Sequence, residues 1–362
     1  MASRDVSRPI DLNKPESYLS LDPAGMLAMT ADFPGQCREA VSIGEGFSAP
    51  TSFSKAQNIL LCGLGGSAIA GDLVHRLTAD RITVPFQVNR QYEIPSWVKE
   101  NTLVILSSYS GNTEETLSAF QDTLSRKAQA VCITSGGKLA QLAGDNDVPV
   151  ISIPSGRPPR ASTGFLIFPV LSILEKSGFI PSLEKEKAET VAVLEAMSRE
   201  LDSKKPVAEN EAKKIALWLQ DKFSLIYGWG YLAPAAYRWQ TQLHENSKAL
   251  AHSGELPEMN HNEVVAWAHK GALAGKLAVV LLRCEDEPPR IRARFELTKR
   301  IISDHASLRE YQSRGEARLS RQMSLVYLGD YASIYLALLS GKDPVEINAI
   351  NFLKGELAKL PQ

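Results

Sequence analysis

The sequence predicts an α/β protein made of two successive parallel sheets, each doubly wound with helices on both faces. Three observations lead there. The chain has 362 residues, beyond the usual size of one domain and enough for two of roughly 150 residues each. Short apolar runs alternate with helix-period segments through the first half, the rhythm of a sheet whose parallel strands are joined by crossover helices. A unit made of an apolar strand, a Gly-x-Gly turn and a small-residue helix occurs at 58–74 and returns at 223–239, which reads as an internal duplication.

The strands of the first half are NILLCG (58–63), PFQV (85–88), LVILSS (103–108), AVCITS (130–135) and VPVISIP (148–154). Between them, AIAGDLVHRL and TEETLSAFQDTLSRK repeat apolar residues at helical spacing, with Thr113 and Glu114 as a first turn. The Lys/Glu-rich interval from about Ser182 to Lys214 reads as exposed helices bridging two halves. The expected division is an N-terminal helical segment at 1–40, a first α/β domain at 41–185, linker helices at 186–215 and a second α/β domain at 216–362. In that second domain FSLIYGWGYLAPAAYRW (223–239) restarts the pattern, and KLAVVLLR (276–283) and MSLVYLG (323–329) read as further strands. DPVEINAINFLKGELAKL reads as a Pro-started amphipathic helix that ends the chain.

Composition narrows the partners. Forty basic and 41 acidic residues leave a formal charge of −1, so no broad positive field is available for nucleic acid or an anionic membrane. Any anion must be met by a local site. Cys37, Cys62, Cys132 and Cys284 are scattered, forming neither a CxxC pair nor a disulfide framework, which favours a reducing compartment. With no apolar leader and no run of about 18 apolar residues, the protein is expected to be soluble and cytoplasmic.

Ligands of doubly wound sheets bind at the carboxyl ends of the strands, and two such ends carry chemistry. The turn Gly63-Leu64-Gly65-Gly66-Ser67-Ala68 lets backbone N–H groups approach an anion at the start of a helix. Taken alone it fits both a dinucleotide fingerprint and a monophosphate turn. A dinucleotide site expects an acidic residue about 20 positions on, where the chain reads Val88-Asn89-Arg90. Arg90 could instead face the phosphate of NADP, which keeps that alternative open. The next strand ends in SSYSGNTEET, where Ser108, Ser110 and Thr113 surround Gly111 at a helix start. Three hydroxyls and the amides of a helix N-terminus form a neutral cage for phosphate oxygens; an ordinary helix cap would account for Thr113 alone. No cofactor is expected, and His244, Glu245 and His252 make neither HxH nor HExxH, so no metal site is expected either.

Over most of its length the chain resembles the SIS-domain phosphoglucose/phosphomannose isomerases of archaea and bacteria. The matching stretches are GLGGSAIAGDL (63–73), SSYSGNTEETL (107–117), SGGKLAQLA (135–143), RPPRASTGF (157–165), ENSKALA (245–251), LPEMNHNEVVAW (256–267) and the terminal helix with Lys354. The resemblance implies two tandem SIS domains, each a flavodoxin-like sheet, and a hexose-phosphate substrate. It implies that Ser67, Ser108, Ser110 and Thr113, with the Gly65 and Gly66 backbone, hold the phosphate, and that Arg160 lies close to the reacting carbons. It further implies that Glu245 is the base of an aldose/ketose isomerisation and that His261 and Lys354 open the sugar ring. In relatives the histidine comes from the neighbouring subunit, so a homodimer with shared sites is implied.

These roles suit the residue types. A carboxylate in a partly dry pocket can carry a proton between adjacent carbons, a guanidinium beside a developing enediolate stabilises charge, and histidine titrates near neutral pH. One departure concerns substrate range: relatives often carry a threonine near the start of the terminal segment, associated with mannose 6-phosphate, and no threonine occurs from Tyr331 to Gln362. A non-catalytic sugar-phosphate sensor remains a rival, although the 57 residues before the first strand show no basic recognition helix. An NADP-dependent oxidoreductase is the other.

Overall fold

A computed structural model of the chain describes residues 10–269, 271, 275–357 and 359. Two short helices, α1 (Met26–Ala31) and α2 (Phe33–Gly46), precede the first sheet. That sheet is built from β1 (Asn58–Cys62), β2 (Phe86–Asn89), β3 (Thr102–Ser107), β4 (Gln129–Thr134) and β5 (Val150–Ser152), with α3 (Gly66–Thr78), α4 (Glu114–Ser125) and α5 (Gly137–Asp145) as crossovers. Its order is β2-β1-β3-β4-β5 with every pairing parallel, the flavodoxin-like arrangement. Three helices follow: the almost wholly buried α6 (Thr163–Lys176), then α7 (Glu184–Leu201) and α8 (Glu211–Leu219).

The second sheet contains β6 (Phe223–Trp229), β7 (Ala251–Leu256), β8 (Leu277–Arg283) and β9 (Ser307–Gln312), joined through α9 (Ala233–Gln242), α10 (Glu263–Trp267) and α11 (Pro289–Ile302). Its order β7-β6-β8-β9, again all parallel, repeats the first four strands of the other sheet. The duplication extends to the backbone of the turns: Gly65 after β1 and Gly230 after β6 share a left-handed φ of 51° and 54°, which glycine adopts without strain. The chain ends in the long α12 (Arg318–Leu339) and in α13 (Asn348–Leu357).

The strands β1, β3, β4, β6 and β8 are largely apolar because both of their faces are covered. Ile59, Leu61, Leu103 and Ile105 face a central core that also takes in α3, α6, α9 and α12. Their neighbours Leu60, Cys62, Val104 and Leu106 face the outer layer of the first sheet, and Leu225, Tyr227, Val279 and Leu281 do the same for the second. The four cysteines are free and buried. Among the described residues no helix is long and apolar enough to cross a membrane.

Two expectations are corrected. MSLVYLG (323–329) is not a strand but part of α12. An apolar run bounded by little else cannot be told from a buried helix by periodicity; here it continues through Leu338 because α12 lies between both domains and is buried all round. The Lys/Glu-rich α7 does more than bridge two halves: Thr190, Leu194, Met197 and Leu201 are buried, and the helix packs on α12 and α2.

Candidate active site

The ends of β1 and β3 lie side by side, since Cys62 pairs with Leu106 in the parallel register. Each leads directly into a helix whose first turn has no side-chain cap. Ser67 sits in the first turn of α3 and is only 4% exposed. Across from it the buried Ser108 hydroxyl donates to Thr113 Oγ1 at 2.9 Å. Thr113 therefore does not spend its oxygen on the helix it precedes; its hydroxyl proton and the first-turn amides of α4 are left to donate. Ser110 lies exposed at the tip of the same loop, its Oγ accepting from the Asn112 amide at 3.3 Å. Arg90, the residue an NADP phosphate would need, is ion-paired with Asp72 of α3.

Gly66 connects this cradle to Arg160. A side-chain carbon at Gly66 would stand 2.9 Å from the Pro159 carbonyl oxygen, so only glycine lets the start of α3 pack against the turn Pro159–Ala161. Arg160 on that turn is 4% exposed and reaches into the second domain. Its Nε donates to Asn246 Oδ1 at 2.7 Å and its Nη1 to Glu245 Oε2 at 3.2 Å. Its Nη2 donates to the carbonyls of Pro344 at 2.6 Å and Val345 at 3.2 Å. Burial pushes the Arg160 guanidinium below its ordinary pKa, with the Glu245 carboxylate opposing that shift.

Glu245 is carried by a π-helical turn, Leu243–Ser247, that widens the end of α9; such bulges recur at functional sites. The turn is anchored from below by the Asn246 amide on Ser333 Oγ (2.9 Å) and by the Ser247 hydroxyl on the Ser333 carbonyl (2.6 Å). Glu245 itself is 31% exposed, and its Oε1 has no hydrogen-bond partner among the described residues. A cavity of about 320 Å³ opens here, lined by His244, Glu245 and Lys248 on one side and by residues 346–350 on the other. Its size suits a small-molecule site.

The fold thus brings the cradle, Arg160 and Glu245 into one connected series, although Arg160 and Glu245 are 85 positions apart. Neither His261 nor Lys354 is among the residues that line the cavity at Glu245. His261 ends a short helical turn, Glu258–His261, beyond the edge strand β7 and is exposed. Lys354 is exposed on α13, which buries no residue. Sequence reasoning missed Asn246, Lys248 and Ser333. The first two stand in the stretch ENSK beside Glu245, whereas Ser333 is hidden in an apolar run. Among the described residues no group of three or more His, Cys, Asp or Glu is placed to hold a metal ion.

Known proteins agree with this architecture. Residues 52–157 match the SIS domain, and residues 208–357 match the bacterial phospho-glucose isomerase C-terminal SIS domain. The fold is shared with a glucose-6-phosphate isomerase like protein from Thermus thermophilus, at a TM-score of 0.63 and 22% identity, covering 96% of this chain and 99% of that one. It is shared as well with the C-terminal domain of glucosamine-fructose-6-phosphate aminotransferase from Francisella tularensis, at a TM-score of 0.69 and 16% identity over 89% and 98% of the two chains. Fold and cradle together define a tandem SIS-domain protein of the sugar-phosphate isomerase class.

Sequence relatives narrow the class. A bifunctional phosphoglucose/phosphomannose isomerase from Caldicellulosiruptor bescii is 39% identical over 337 residues, 92% of this chain and 99% of the relative. One from Aquifex aeolicus is 35% identical over 305 residues, 84% of this chain and 91% of the relative. The chain belongs to the bifunctional phosphoglucose/phosphomannose isomerase family.

Proposed function

We propose that the protein interconverts glucose 6-phosphate and fructose 6-phosphate through a cis-enediolate. The observation that supports this reading most directly is the pairing of Glu245 with Arg160 at 3.2 Å, on a turn packed against the phosphate cradle. Ser67, Ser108, Ser110 and Thr113, with the Gly65 and Gly66 backbone, grip the phosphate, which places the far end of the sugar toward the second domain. Glu245 Oε1 removes the proton from C2 of the aldose and returns it to C1, while the hydroxyl proton passes from O2 to O1, giving the ketose. The negative charge that builds on the two sugar oxygens in between is met by the buried guanidinium of Arg160, which is fixed before the reaction begins.

Ring opening falls to His261 and Lys354. His261 serves the site of a second copy of the chain, so the active form is a homodimer. Relatives named as bifunctional make mannose 6-phosphate a second candidate substrate, and the lack of threonine from Tyr331 to Gln362 weighs against it.

The test is a coupled assay from fructose 6-phosphate, followed for both glucose and mannose products, with and without a chelator. Turnover that survives chelation and falls by about 10²- to 10⁴-fold in Glu245→Gln is the expected result. An undiminished Glu245→Gln enzyme overturns the assignment of the base.

A further inference from the structure

Lys248 follows Glu245 by three residues, where the chain leaves the π-helical turn. Its backbone is left-handed, with φ 55° and ψ 33°, a conformation that glycine adopts freely and lysine does not. That bend turns the side chain back over the turn it has just left. The ammonium donates to the carbonyl of Glu245 at 3.1 Å, to that of Asn246 at 3.2 Å and to that of Asp343. An ammonium has three protons, so all three are spent on backbone and none remains for a substrate.

The Asp343 carbonyl belongs to a strap that Arg160 grips next door, through Pro344 and Val345. Two cations flanking Glu245 therefore hold three consecutive carbonyls. The strap leads into residues 346–350, which form the wall of the 320 Å³ cavity facing Glu245. Asn348, Ala349 and Ile350 of that wall open α13, a helix that buries no residue, so burial of the helix within this chain does not fix where the wall stands.

We propose that Lys248 is a positioning residue for the isomerisation: it ties the turn carrying Glu245 to the strap 343–345 and so fixes the width of the cavity between the carboxylate and its facing wall. This rests on the reading of Glu245 as the base. A cation at the end of a helical turn is also favourably placed to hold its last carbonyls.

The experiment compares Lys248→Gly, Lys248→Met and Lys248→Arg with Glu245→Gln. Lys248→Gly suits the left-handed backbone but removes the whole side chain; Lys248→Met removes the ammonium while keeping an unbranched apolar stem, and serves if the glycine variant folds poorly. In the folded variants kcat falls by about 10- to 100-fold, while KM for the hexose phosphate changes by less than about threefold because the phosphate is held on the first sheet. Lys248→Arg recovers most of the loss, and amide hydrogen exchange across 346–357 quickens in Lys248→Gly. Wild-type kcat in a folded Lys248→Gly, or unchanged exchange across 346–357, overturns the proposal. If Glu245→Gln is inactive in the same series, the reading of Glu245 as base still stands. If Glu245→Gln is as active as wild type, that reading falls instead.

Discussion

Arg238 is bound to Asp330 by two hydrogen bonds of 2.9 and 2.7 Å, and its Nη2 also donates to the carbonyl oxygen of Arg160 at 2.9 Å. The pair lies almost wholly buried beneath the site, where Gln242 adds a third bond to Asp330 at 3.0 Å. Burial pushes the Asp330 carboxyl above its ordinary pKa, and Arg238 and Gln242 work against that rise. The backbone of Arg160 is thus seated on an ion pair that joins α9 to α12.

Replacing Asp330 with asparagine keeps the shape but leaves the Arg238 charge buried without a counter-charge. Breaking a buried pair from one side costs about 3–5 kcal/mol, which urea denaturation will show as a lower midpoint. Because Arg160 loses a fixed seat, kcat of the folded fraction falls as well, on the order of tenfold. An Asp330→Asn enzyme that is less stable yet fully active would show that Arg160 does not depend on this support.

Gly66→Ala tests the contact between the cradle and Arg160. Alanine suits the start of a helix, so backbone propensity favours the change. The added carbon nevertheless falls 2.9 Å from the Pro159 carbonyl oxygen, and backbone cannot swing aside as a side chain can. The expected outcome is a loss of about 1–3 kcal/mol together with reduced kcat/KM, read from thermal unfolding and steady-state kinetics. Full activity in Gly66→Ala would separate the cradle from the Arg160 turn.

How much of this was legible in the sequence follows from what each element buries. The strands β1, β3, β4, β6 and β8 are covered on both faces and spelled out as continuous apolar runs. The edge strand β7, AHSGEL, and the mostly exposed β9, SLREYQ, mix polar residues freely and gave no such run. Within the site, Ser67, Ser108 and Thr113 could be read locally because each shares a short loop with the glycines that shape it. The partners of Glu245 could not: Arg160 is 85 positions away, and Ser333, which anchors Asn246, is 87 positions from it, so only folding shows that they meet.

Asp286 gives the stability a pH dependence of known sign. It accepts from the Tyr231 hydroxyl at 2.7 Å and from Arg318 Nε at 3.0 Å, and it pairs with Arg321 at 2.9 Å. Burial works against its charged form, but these donors prevail and hold its carboxyl at about 2. A carboxyl whose folded pKa lies below its unfolded one stabilises the fold above the unfolded value, near pH 4, and loses that contribution as pH falls toward 2. The shift corresponds to at most about 2 kcal/mol, less in practice because the side chain is 26% exposed. The stability gap between wild type and Asp286→Asn, measured by urea denaturation, should be constant from about pH 5 to 7 and shrink below about pH 4. A gap that persists unchanged at about pH 2 would assign the effect to shape rather than charge.

Glu189 fills an anion-binding turn of the second domain with the chain's own carboxylate. From α7 it accepts the Glu316 amide at 2.6 Å, the Ala317 amide at 3.2 Å and the Ser320 hydroxyl at 2.8 Å, which are the donors at the start of α12. Burial opposes its charge, yet the hydrogen bonds from Ser320, Glu316 and Ala317 hold the carboxyl below its ordinary range, so the contact is present at neutral pH and weakens on acidification. Removing it in Glu189→Ala exposes uncapped amides at a positive helix end and should cost about 0.5–2 kcal/mol. The vacated turn then offers a small anion what Glu189 had. Sulfate should therefore raise the melting temperature of Glu189→Ala more than that of wild type at matched ionic strength, and equal shifts in the two proteins would show that the turn binds its own carboxylate only as part of the packing of α7.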